Sequence, residues 1–107
     1  MDGGAMTLNE IAEYAGGSLE EVVGTYIWEP KTKSGESYNV AILIEVRKKN
    51  GRYMAIPNRM VKTAQQAAPY VSTDTKDNLE DALHDCIAGF KMFMRTPEET
   101  EWPPFEV

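Results

Sequence analysis

The only histidine and the only cysteine of this 107-residue chain lie two residues apart, in His84-Asp85-Cys86. A histidine within hydrogen-bond reach of a thiol is the arrangement of nucleophilic catalysis, and both residue types ligate metals. The surrounding stretch, "NLEDALHDCIAGFKMFM", argues against both uses. Leu79, Ala82, Leu83, Cys86, Ile87, Phe90, Phe93 and Met94 recur at helical 3–4 spacing. Two positions along a helix are a rotation of about 200°, so imidazole and thiol point to different sides. Cys86 falls in the apolar stripe and reads as a small core residue. His84 falls on the polar face with Glu80, Asp81 and Asp85. One imidazole among surface carboxylates is short of the convergent ligand set that a metal needs. The sequence holds no phosphate-binding glycine loop, no Cys-x-x-Cys, no His-Glu-x-x-His and no Gly-x-Ser-x-Gly. The expectation is no catalytic, cofactor-binding or metal-binding residue, and no enzyme.

Charge is more informative. The chain carries 17 acidic and 11 basic residues, a formal net charge of -6. That balance disfavours broad binding to nucleic acid. Residues 46–73 contain no acid at all, yet hold Arg47, Lys48, Lys49, Arg52, Arg59 and Lys62. All 17 acids and the other five bases lie elsewhere, so a basic region should sit on an acidic body. This region reads either as the solvated tip of a hairpin, where lysines guard strand edges, or as a docking patch for an anionic partner. The acidic counterpart is the helix face of Glu80, Asp81, His84 and Asp85.

The elements that position these groups follow from local signals. Thr7-Leu8-Asn9-Glu10 is a capping box, and Leu8, Ile11, Ala12 and Ala15 form one helical face ended by Gly16-Gly17. A helix over Leu8 to Ala15 is expected. Ser18-Leu19-Glu20-Glu21 is a second capping box, but "VVGTYIW" is β-branched and aromatic. The compromise is a helical turn at Leu19 to Val22, then a strand to Trp28. "YNVAILIEVRKKNGRYMAIP" predicts a hairpin, with Tyr38, Val40, Ile42, Ile44 and Val46 on one face of a strand running from Tyr38 to Lys48. Asn50-Gly51 marks its turn. Keeping Met54 and Ile56 on the face of Ile44 and Val46 favours a three-residue loop that pairs Val46 with Met54 and Ile44 with Ile56. "NRMVKTAQQAAP" (Asn58 to Pro69) reads as a short helix or a mobile surface segment, and Tyr70 to Thr73 as a short strand. Asn78 or Asp77 caps the last helix, which Pro97 halts near Arg95. The acidic tail, residues 96–107, offers Trp102 and Phe105 as tethers to the body or to a partner.

These readings give a single α+β domain over residues 1–107. A short N-terminal helix precedes a mainly antiparallel sheet of three to four strands, and a long amphipathic C-terminal helix packs on one face of that sheet. Residues 1–6 read as flexible. A lone cysteine cannot form an internal disulfide, the longest apolar run is "VAILI", and "MDGGAM" has no basic signal-peptide start. A soluble, cytoplasmic protein without membrane contact is expected. A free edge on the strand from Tyr38 to Lys48 would allow a homodimer.

From Tyr38 to Met94 the chain resembles the HicB-like antitoxin domain. The residues that carry the resemblance are "YNVAILIEV", "NGRYMAIP", "YVSTDT" and "NLEDALHDCIAGFKMFM", about half the chain. The resemblance implies a β-β-β-α sheet with the last helix on one face, and family members that neutralise a small, double-stranded-RNA-binding toxin. The family's Leu-Pro-Gly turn after the second strand is replaced here by the longer "NRMVKTAQQAAP". "TLNEIAEYAGGSLEEVV" is similar to the helix-turn-helix of LacI-type repressors, with Ala12, Gly16, Ser18 and Val22 in matching places. Glu20 and Glu21 stand there where a phosphate backbone calls for neutral or basic groups. The functional expectation is a small regulatory or interaction protein that binds a basic protein partner and needs no cofactor. The alternative is a nucleic-acid-binding regulator using the basic hairpin Arg47 to Arg52 or the N-terminal helix pair.

Overall fold

The computed structural model describes residues 5–17 and 19–106. In chain order they form α1 (Leu8–Ala15), β1 (Glu21–Trp28), β2 (Ile42–Lys49), β3 (Arg52–Pro57), β4 (Lys62–Thr63), β5 (Thr75–Lys76) and α2 (Leu79–Phe93). A 3-10 turn at Pro97–Glu99 and β6 (Thr100–Glu101) follow. An antiparallel sheet in the order β1-β2-β3-β5 carries α2 on one face, and β4 pairs with β6 in a small second sheet. The α+β class and the packing of the long C-terminal helix are those expected. No helix among the described residues is long and apolar enough to cross a membrane.

The alternation of β2 builds the core. Ile42, Ile44 and Val46 are fully buried, and Ala55, Val61, Ala82, Cys86 and Phe90 complete the cluster. Phe90 is the largest of the fully buried side chains. Its ring lies 5.9 Å from both Trp28 and Trp102, and Trp102 meets Tyr38 edge-on at 6.2 Å. The Tyr38 hydroxyl donates to the Arg95 carbonyl at 2.6 Å. One aromatic cluster thus joins the end of β1, the loop before β2, the last turn of α2 and the C-terminal segment.

Both helices start where their caps predict. The Thr7 hydroxyl accepts from the Glu10 amide while the Glu10 carboxylate accepts from the Thr7 amide, and Gly16 closes α1 in the left-handed conformation (φ 78°). The Asn78 side chain accepts from the Asp81 amide at the start of α2. Yet α1 buries no residue. The radius of gyration is 17.2 Å, with extents of 60 × 27 × 22 Å, where a compact chain of this length comes to about 13 Å.

Several expectations are corrected. Leu19 to Val22 forms no helical turn, because β1 begins at Glu21 and pairs with Lys48; the N-terminal helix pair is therefore a helix followed by a strand. Ser18, which would cap the second helix, lies outside the described residues, as do residues 1–4. The β2 strand starts at Ile42 rather than Tyr38, since Asn39 takes a left-handed φ of 55° and breaks the run. It lies between β1 and β3, so its edges are not free for a second copy. The hairpin pairs Val46 with Ala55 and Ile44 with Pro57, and Lys49 with Arg52 around a two-residue Asn50-Gly51 turn. Positive φ at both turn residues, 53° and 76°, suits this tight connection.

That register puts Met54 and Ile56 opposite Arg47 and Glu45, on the face away from α2. Ile56 is nevertheless buried. It borders a depression with Phe105, so the C-terminal segment shelters it from the other side. Residues 58–69 form no helix. Val61 is fully buried and bridges Tyr70, and β4 pairs with β6. Tyr70 to Thr73 supplies only that bridge, while the fourth strand of the main sheet is β5. Residues 96–106 are held to the body: the Met60 amide donates to Pro103 and the Phe105 amide to Asn58. Replacing Phe90 by Ala should lower unfolding free energy by about 3–5 kcal/mol, the usual cost of a large aromatic cavity. The displacement of the urea midpoint at unchanged m-value measures it.

Candidate functional site

His84 and Cys86 part company as helical geometry requires. Cys86 is buried in the core and His84 is exposed on the outer face of α2. Burial, and secondarily the neighbouring Asp85 charge, pushes the Cys86 thiol from about 9 up to about 12, so it is poorly suited to act as a nucleophile near neutral pH. Among the described residues no three His, Cys, Asp or Glu side chains converge as metal ligands would.

The acidic face of α2 is a real surface. Glu80, Asp81 and His84 are exposed and Asp85 is half-buried. Asp85 is partly neutralised by Lys76 at 3.6 Å and accepts from the Ser72 hydroxyl. Lys76, Asp81, His84 and Asp85 line a shallow depression of about 220 Å³. The tail carboxylates Glu98, Glu99, Glu101 and Glu106 are also exposed.

The six clustered cations do not form one patch. Alternation along β2 and β3 sends Arg47, Lys49 and Arg52 to the face opposite α2, and Lys48 to the α2 side, where its ammonium lies 5.5 Å from the Tyr53 ring. Arg47 is clamped by Glu45 at 2.9 Å and Glu20 at 3.3 Å, and these hydrogen bonds raise its guanidinium above the ordinary value, Glu45 contributing most. Arg52 is paired with Asp77. Arg59 is drawn under the C-terminal segment. Its Nη1 donates to the Trp102 carbonyl at 3.2 Å, and its Nε is buried. Lys62 donates to the backbone carbonyls of Thr63 and Gln66. Lys48 and Lys49 are the two outside the ion pairs and backbone bonds of the described residues.

Sequence reasoning missed the open sheet face. The observed pairing collects Val22, Thr25 and Ile27 of β1, Leu43, Glu45 and Arg47 of β2, and Arg52, Met54 and Ile56 of β3 on the side away from α2. Ile27 is 70% exposed, Val22 50% and Leu43 41%, unusual for β-branched and aliphatic residues of a sheet centre and edge. One depression of about 170 Å³ runs past Leu43, Ile56 and Phe105, and another of about 260 Å³ past Arg47, Lys49, Arg52 and Met54. The signal lies in the alternate positions of "AILIEVR", whose mixed character does not reveal that Val22, Thr25 and Ile27 stand beside them.

No protein-family model, no curated protein and no solved structure matches this chain.

The thiol yields a prediction with a definite sign. The folded chain keeps the Cys86 proton up to about 12, whereas the unfolded thiol releases it near 8.5–9. Between these values the folded state holds more protons, so stability falls as pH rises. The Cys86→Ala chain should lose less stability than the parent between pH 8 and 10 in paired urea titrations. Iodoacetamide at pH 8 should modify the folded thiol at least about a hundredfold more slowly than the unfolded one.

Proposed function

We propose that the chain is a non-enzymatic interaction protein, HicB-like from β2 to α2, that binds a basic protein through the acidic outer face of α2. The observation that carries the reading is the imbalance of uncommitted charge. Four of the six clustered cations are tied to carboxylates or backbone carbonyls, leaving Lys48 and Lys49 at the hairpin. Glu80, Asp81 and the tail carboxylates stand in solvent. An exposed, mostly unpaired acidic surface steers a basic partner and repels phosphate. The reading is supported by the main sheet, where β2, β3 and β5 precede α2 in the order the HicB resemblance implies, although β4 intervenes in the chain and β5 (Thr75–Lys76) begins only at the end of the expected third strand.

The reading predicts no retardation of double-stranded DNA, double-stranded RNA or single-stranded RNA in mobility-shift titrations at low salt. Retardation abolished by Lys48→Glu with Lys49→Glu would instead assign the hairpin to nucleic acid. Affinity capture from the source cells at low salt, with mass-spectrometric identification, should enrich one strongly basic protein on the wild-type chain. Glu80→Lys with Asp81→Lys should weaken its retention at least tenfold. Retention unaffected by that double substitution removes the α2 face from the interface.

A further inference from the structure

β1 is the longer of the two edge strands of the main sheet. It pairs with β2 on one side, and no other described strand lies against it. Exposed strand edges are ordinarily blunted by charges, proline or bulges. The single bulge of β1, between Val22 and Gly24, lies at its start, and the remaining run Gly24-Thr25-Tyr26-Ile27-Trp28 is uncharged. Immediately before this strand stands α1, whose Leu8, Ile11 and Tyr14 are exposed. Eight residues fall below the length of a helix that holds by itself in water, roughly 12–15. Both caps of α1 are made, so what it lacks is a surface for its apolar stripe.

We infer that two copies of this chain pair through their β1 edges, antiparallel about a two-fold axis, and lay each α1 across the open sheet face of the other copy. The axis passes at Tyr26. Tyr26 then faces its own symmetry mate, and Thr25 faces Ile27 on the open side. An antiparallel edge is self-complementary in this arrangement, as a two-fold interface must be. The same pairing sets the N-terminal end of one β1 beside the C-terminal end of the other. Residues 16–20 span up to about 17 Å when extended. That reach brings Leu8 and Ile11 over Ile27, Leu43 and the depression bordered by Ile56 and Phe105 of the second copy. Area requires both contacts. A stable interface buries about 800 Å² on each side, more than one eight-residue edge offers, and the exchanged helix supplies the remainder. This goes beyond the proposed partner binding and uses none of the α2 face, so either can fail without the other.

Light scattering and sedimentation of the 107-residue chain from micromolar to millimolar concentration test this. A reversible dimer of twice the 12.0 kDa chain mass is expected. Ile27→Lys and Ile11→Glu both replace exposed side chains, and each should raise the dimer dissociation constant at least tenfold with an unchanged monomer melting temperature. A strict monomer at millimolar concentration overturns the inference, including one with protected α1 amides, which would mean that α1 folds back on its own chain. A dimer indifferent to Ile27→Lys overturns the edge pairing. One that responds to Ile27→Lys and not to Ile11→Glu overturns the helix exchange.

Discussion

The fold depends on burying Phe90 between the two tryptophans. Its ring is the largest fully buried side chain, and Trp28 and Trp102 flank it at equal centroid distances of 5.9 Å. Aromatic burial on this scale is worth several kcal/mol and is directional as well as apolar. Trp28 ends β1, Phe90 stands in the last turns of α2, and Trp102 follows β6. Satisfying one ring therefore anchors the end of β1, seats the helix and draws in the C-terminal segment together. It also decides which sheet face is covered. With α2 on Ile42, Ile44, Val46 and Ala55, the other side is bordered near Ile56 by Phe105, and Ile27 and Leu43 stay exposed.

Elements specified by adjacent residues were legible in the sequence. The boundaries of α1 and the start of α2 follow from capping side chains within three residues, and those caps form as drawn. Elements specified by distant residues were not. Lys62 and Thr63 become a strand because Thr100 and Glu101 pair with them almost forty residues later, a contact that no local period encodes. Glu20 and Glu21 look like a helix start, yet strand pairing overrides them, with Glu20 reaching Arg47 and Glu21 aligned with Lys48. The hairpin register failed for a related reason. Burial was assigned to a single face, whereas Ile56 is buried on the opposite face, where Phe105 shelters it. The resulting two-residue turn is the one that Asn50-Gly51 favours on its own conformational preferences.

The candidate surfaces were legible as composition and illegible as geometry. Six cations without a nearby acid in sequence suggest a patch, but sequence distance is no guide to ion pairing. Glu20, Asp77 and Trp102 come from outside residues 46–73 to engage Arg47, Arg52 and Arg59. The strand period then divides Lys48 from Arg47 and Lys49. The acidic face of α2 survived folding better, because a helix keeps residues three and four apart on one side whatever packs behind it. Its separation of His84 from Cys86 follows from the same rule.

The distribution of apolar burial separates stability from association. The core cluster draws on β2, β3, α2 and Val61, with Trp28 and Trp102 packed around it, and none of it comes from α1. Losing α1 from the body would therefore remove no core contact, while its exposed stripe and the open sheet face together place Leu8, Ile11, Ile27 and Leu43 in water. Scattered apolar residues on a surface need no explanation, but a capped amphipathic helix and a bare sheet face in one small chain are two halves of the same hydrophobic deficit. Gly16 ends α1 in the left-handed conformation, and neither it nor α1 contributes a side chain to the cluster around Phe90. A change in what covers the open face would therefore touch none of the side chains that hold the core together.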